Sequence, residues 1–112
     1  MDPIRLADFR AQLDALLAQL DQEDLLGTDA QKTVALDQQS VGRLSRMDAM
    51  QQQAMAKATQ MRRSQLRTKV VAALARMDAE EFGYCLECGD DIPLKRLDLD
   101  PTCATCVSCA QG

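Results

Sequence analysis

Apolar side chains recur along the first third of this chain with helical rhythm. Leu6, Phe9, Leu13, Leu16 and Leu20 follow a 3-4-3-4 spacing, with acids and glutamines between them. A 3.5-residue repeat of this kind makes a narrow seam on one helix face, suited to a coiled-coil partner. Asp2-Pro3 supplies a start, an aspartate cap followed by proline at the first helical position. Gly27-Thr28-Asp29 reads as a stop, which predicts a helix to about Leu26. From about Asp37 to Glu80 there is no proline, and Gly42 is the only glycine. One stripe is marked there by Leu44, Met47, Met50, Ala54, Ala58 and Met61. Leu66, Val70, Leu74 and Met77 continue it after a shift of register. A helix that long is not stable alone, and the first helix is the available partner. The pattern predicts an antiparallel hairpin. Its turn lies either at Gly27–Leu36 or near Gly42–Asp48. Only the second gives Leu66–Met77 a partner in Leu6–Leu20, so a tip within 38–48 is favoured, with the first arm interrupted around 27–36.

Composition supports helices. With two Phe, one Tyr and no Trp in 112 residues, Leu, Ala, Met and Val must do the packing. One small domain with a thin core is expected, of the kind that needs a metal or partner for stability. The net charge of −4 argues against general affinity for phosphate backbones. It is unevenly placed. Residues 1–37 hold eight acids against three bases, whereas residues 49–77 hold no acid and six bases: Lys57, Arg62, Arg63, Arg67, Lys69 and Arg76. Side by side the two segments are complementary, while the commoner reading of such a pattern is two solvated faces. Met1-Asp2-Pro3-Ile4 has neither the basic nor the apolar region of a secretory signal. No apolar run is long enough for a membrane span. A cytoplasmic location is expected, where clustered cysteines point to metal or redox chemistry rather than to structural disulfides.

All five cysteines lie in the last 28 residues, within Cys85-Leu86-Glu87-Cys88-Gly89 and Cys103-Ala104-Thr105-Cys106-Val107-Ser108-Cys109. A C-x2-C-G turn lets two thiolates converge on one ion, and backbone amides of the turn support the sulfurs. The second knuckle has two versions, Cys103/Cys106 and Cys106/Cys109. Their gaps from Cys88 are 14 and 17 residues, and the longer falls in the usual range for zinc. Cys85, Cys88, Cys106 and Cys109 are therefore the expected ligands of one structural zinc. Cys103 is left as filler or as a spare thiol able to capture an oxidised ligand. Four thiolates leave no position for an activated water, and the chain has no His, so an enzyme is not expected. Between Gly83 and Gly112 only Lys95 and Arg96 are cationic, which gives little basis for sequence-specific DNA binding.

The stretch Phe82-Gly83-Tyr84-Cys85, the Arg96-Leu97 to Pro101-Thr102 segment and the closing C-x2-C resemble the DksA/TraR family of C4-type zinc-finger proteins, also called DnaK suppressor proteins. The likeness is specific over about residues 60–109. It implies a mainly α fold: a long antiparallel helical hairpin over 1–82 and a small C4 zinc ribbon over 83–112, without the extended C-terminal helix of longer members. It implies a transcription regulator that binds bacterial RNA polymerase as a monomer, its coiled coil entering the secondary channel, often together with the alarmone ppGpp. Ser45, Asp48 and Ala49 are the partial equivalents of the family's acidic tip. Arg62, Arg63, Arg67 and Lys69 are the candidate contacts to polymerase or nucleotide. Of three basic positions that matter to ppGpp in the family, this chain keeps Lys69 but has Asp100 and Ala110 at the others, so weak potentiation is expected. The readings of a different class are a zinc-thiolate redox sensor and a zinc-ribbon adaptor for another protein.

Overall fold

The computed structural model describes the backbone of residues 1–37 and 43–111, and the side chains of 1–27 and 46–110. Four helices occur in the order α1 (Pro3–Asp37), α2 (Arg43–Asp78), α3 (Leu94–Leu99) and α4 (Val107–Gln111). Asp2 starts α1 as its sequence suggests: its carboxylate accepts from the Ile4 amide at 3.0 Å. The chain divides into two compact units, Met1–Leu17 with Thr68–Gly112, and Ala18–Arg67.

In the first unit the beginning of α1 packs on the end of α2. The expected seam is the buried one: Phe9 and Leu13 on α1 and Val70, Ala73 and Met77 on α2 are all nearly inaccessible. Phe82, Ile92 and Leu97 are buried in the same unit. The Phe9 and Phe82 ring centroids are 5.7 Å apart, within the range of favourable tilted pairs. Arg5 lies over Phe9 at 5.1 Å and pairs with Asp98 at 2.6 Å.

α2 ends in two overlapping turns. The Glu81 amide donates to the Arg76 carbonyl at 2.7 Å, and the Glu80 amide to Met77 at 3.1 Å. This is the Schellman closure, which puts its C′ residue in the left-handed region. Here that residue is Glu80, at φ 61°. A side chain there costs about 1–2 kcal/mol, while glycine adds about 0.4–1 kcal/mol of unfolded-chain entropy. Glu80→Gly is therefore expected to stabilise the chain by a net of about 0.5–1 kcal/mol. An unchanged or lower urea midpoint would count against it.

In the second unit α1 and α2 run antiparallel, held by charge more than by apolar burial. Leu20 and Ala49 are its buried apolar residues among those described. Arg63 donates to Asp24 at 2.7 Å, and Arg67 reaches Asp21 and Asp24. This clasp corrects two expectations. First, α1 is not interrupted at residues 27–36 and does not stop at Gly27; it runs on to Asp37. Gly27 is a clearance, because a Cβ there would lie 2.5 Å from Arg63 Nη2. Second, the stripe expected to face α1 points outward. Met47, Met50, Ala54, Ala58 and Met61 are exposed, and the half-buried or buried line is Ala49, Gln53, Ala56, Arg63 and Arg67. The favoured tip range, 38–48, overlaps residues 38–42, which lie outside the described ones.

The Arg63 hydrogen bond holds the Asp24 carboxyl below its ordinary value, against the opposing effect of burial; Arg67 adds to the lowering. A lowered folded-state pKa contributes stability above the unfolded value, 3.8, and loses it as pH falls through the folded value. The advantage of the wild type over Asp24→Asn is expected at neutral pH and to vanish on acidification below that value. Urea midpoints across pH read it; a constant difference would contradict the assignment.

Candidate metal centre and basic helix face

The polypeptide leaves α2 through Phe82 and forms a short hairpin. Ile92 donates to the Gly83 carbonyl at 2.8 Å and Cys85 to Asp90 at 2.7 Å, with Tyr84 bridged to Asp91. The hairpin tip is the first knuckle. Gly89 closes it by donating to the Cys85 carbonyl at 2.9 Å. Its φ of 78° is why this position suits glycine. The second knuckle is the first turn of α4, where Ala110 donates to Cys106 at 3.0 Å. Leu86 donates to the Ala104 carbonyl at 2.9 Å, tying the two knuckles together.

This brings together Cys85, Cys88, Cys106 and Cys109, whose sulfurs all lie within 4.8 Å of one another. Cys88 and Cys106 Sγ are 3.7 Å apart, far beyond a disulfide bond. A tetrahedron with arms of about 2.3 Å has edges of about 3.8 Å, so the spacing suits a zinc ion at the centre.

The electrostatics agree. Burial pushes the Cys85 thiol up, but backbone amides of Cys106, Cys88 and Glu87 and the Cys109 thiol outweigh it and bring it to about 6. The Asp90 backbone pulls Cys88 down, yet the Cys85 and Cys106 thiols leave it raised overall. Cys109 is pushed up by Cys106, Cys85 and Cys88. One thiolate thus forms readily and makes the next unfavourable. A divalent cation removes that conflict.

Cys103 stands outside the quartet. Its Sγ donates to the Thr105 carbonyl at 3.1 Å and accepts from Arg96 Nε at 2.9 Å. Arg96 Nε also reaches Thr105 O at 3.0 Å. Burial pulls Arg76 below its ordinary value, and nearby Cys103 opposes that. The thiol thus braces the loop before the second knuckle, a role its sequence spacing could not reveal.

Asp100 is also engaged internally. Its carboxylate accepts from the Thr102 amide at 3.0 Å and from the Thr102 hydroxyl at 2.6 Å, and Thr102 is buried. Ala110 is exposed. On α2, Arg63 and Arg67 turn to the acids of α1, whereas Arg62 and Lys69 are exposed. Asp48 is exposed and Ala49 buried. Ser45 lies in α2, but its side chain is outside the described set. Among the described residues no helix is long and apolar enough to cross a membrane.

A thiol quartet on two knuckles, carried at the base of a helix pair, defines a C4 zinc ribbon with one structural zinc. The prokaryotic dksA/traR C4-type zinc finger matches residues 80–112. The RNA polymerase-binding transcription factor DksA of Escherichia coli K12 is 31% identical over 110 residues, 97% of this chain and 71% of that protein. Its namesake from Haemophilus influenzae is 40% identical over 48 residues, 43% of this chain and 33% of its own length. The structure of transcription factor DksA2 from Pseudomonas aeruginosa has the same fold, with a TM-score of 0.87 over 99% of this chain and 84% of that one, at 22% identity. The chain belongs to the DksA/TraR family of C4-type zinc-finger proteins. The relatives bear the names of transcription factors, not of enzymes.

Proposed function

We propose that this chain regulates transcription in the cytoplasm by binding bacterial RNA polymerase directly. The observation that carries the reading is likeness over 97% of the chain to a factor named for polymerase binding. In this reading residues 83–112 are the zinc ribbon, with Cys85, Cys88, Cys106 and Cys109 as ligands. Residues 1–82 are the helical hairpin that enters the secondary channel. The ribbon's zinc fixes the hairpin base through Phe82, and Asp48 and its neighbours approach the catalytic centre. Arg62 and Lys69 are the cations of the expected set left open to polymerase or nucleotide.

Potentiation by ppGpp is expected to be weak. Of the three positions, Lys69 alone offers a cation. Asp100 places an acid there, committed to the Thr102 turn, and Ala110 offers no charge. The test is single-round transcription by purified polymerase from a ribosomal RNA promoter, with and without the zinc-loaded protein and ppGpp. Inhibition relieved by a competing secondary-channel factor supports the reading. No binding and no effect from folded, zinc-loaded protein refutes it, and strong ppGpp dependence refutes the second part.

A further inference from the structure

The second unit is inside out in one respect. Its interhelical line carries Gln53, Arg63 and Arg67, while Met47, Met50, Ala54, Ala58 and Met61 face solvent. The three methionines are 64%, 58% and 64% exposed. Steps of three and four residues place all five on one face of α2, a strip of about 21 Å at 1.5 Å per residue. Single exposed apolar residues are ordinary, but five in register, opposite a polar seam, form a continuous patch of the kind that marks an interaction surface. At 100° per residue, Arg46 and Lys57 border the strip on one side and Arg62 on the other. All three are exposed, and none is in an ion pair with another described residue. Asp48 is the one acid among residues 43–77.

Resting on the polymerase reading, we propose that the outward face of α2 from Arg46 to Arg62 is a docking strip for an apolar polymerase surface bordered by carboxylates. Charge complementarity selects this occupant. A second copy presenting the same face would set cations against cations, whereas an acid-bordered apolar face matches both the centre and the rim. Methionine suits the centre because its unbranched, polarisable side chain adapts to an irregular partner. This is the mode in which an amphipathic helix is read through anchors at i, i+3 and i+7.

The test is a binding titration of full-length zinc-loaded protein against purified core polymerase at several salt concentrations. Two double variants join it, Met50→Ser with Met61→Ser and Lys57→Glu with Arg62→Glu. Their helical circular dichroism and zinc content are compared with wild type. Removing the anchors is expected to raise Kd about tenfold or more with the salt dependence kept. Reversing the rim is expected to weaken binding at low salt and to flatten the salt dependence. Peroxide footprinting of the unaltered protein should show Met47, Met50 and Met61 protected by polymerase, whether or not the variants fold. Binding within twofold of wild type by both folded variants, or unprotected methionines in a formed complex, overturns the docking strip alone. A wild-type dimer that the methionine variant dissociates overturns it in favour of self-association. Failure of the unaltered chain to bind polymerase overturns the functional reading and this one with it.

Discussion

Cys106→Ser is expected to weaken zinc binding by about a hundredfold or more, while Cys103→Ser keeps one zinc per chain. Structural zinc in small modules contributes about 10–16 kcal/mol. One ligand in four therefore accounts for about 2.5–4 kcal/mol, and each 1.4 kcal/mol is tenfold. The contrast between the two serines matters because Cys103 and Cys106 each complete a C-x2-C. Cys106 sits 3.7 Å from Cys88, whereas Cys103 spends its thiol on Thr105 and Arg96. Competition against a chromophoric chelator gives the affinities. Equal losses in both variants, or a larger loss for Cys103→Ser, would overturn the ligand assignment. Folding follows the metal, since Leu86 and Ala104 join the knuckles through one backbone bond, and the ribbon's Ile92 and Leu97 are buried in the same unit as the helix ends.

The second large effect is expected from Phe9→Ala, which should cost about 3–5 kcal/mol. Phe9 is 1% exposed. It touches Phe82 across the unit and lies beneath Arg5. A domain of ordinary stability has about 5–15 kcal/mol in all, so this one change removes a large share. By comparison, the Arg10–Asp78 pair has side chains 45% and 68% exposed and should contribute about 0–1 kcal/mol. Urea unfolding of the zinc-loaded protein distinguishes the two. A Phe9→Ala loss no larger than that of Arg10→Ala would mean the base of the hairpin is not its core.

The parts of this fold that could be read from residues alone are those where one physical effect dominates. Leu6 to Leu20 form a seam because burial of apolar surface has no competitor there. The C-x2-C spacing is legible because thiolate geometry around zinc leaves few alternatives. Gly27 misled because its role is not conformational: it makes room for a guanidinium that arrives from 36 residues away. The Met47–Met61 strip misleads because its apolar rhythm joins Leu66 only through a five-residue step from Met61, which takes it to another face of the helix. Steps of three, four and seven back from Val70 give Arg67, Arg63, Ala56, Gln53 and Ala49 instead, a repeat interrupted at exposed Gln60 and carried by residues that look like surface. Their inward turn is explained by Asp21 and Asp24. A polar seam is invisible to a search for apolar periodicity. The acid-rich first segment and acid-free second segment were the available clue. Asp100 is a similar case, since a carboxylate used to cap Thr102 is written in sequence like any exposed acid.

The clasp at Asp21, Asp24, Arg63 and Arg67 makes the second unit answer to its solvent differently from the first. Its pairs are only partly buried and are weakened by salt and by acid. Apolar burial around Leu13 and Val70 has neither sensitivity. Raising ionic strength therefore loosens one stretch of the helix pair while the stretch beside the zinc stays closed, which would be seen as earlier hydrogen exchange in residues 46–67 than in 68–78. Ionic strength then sets how stiff this stretch is, and with it the entropy that would be lost on binding in the proposed polymerase complex.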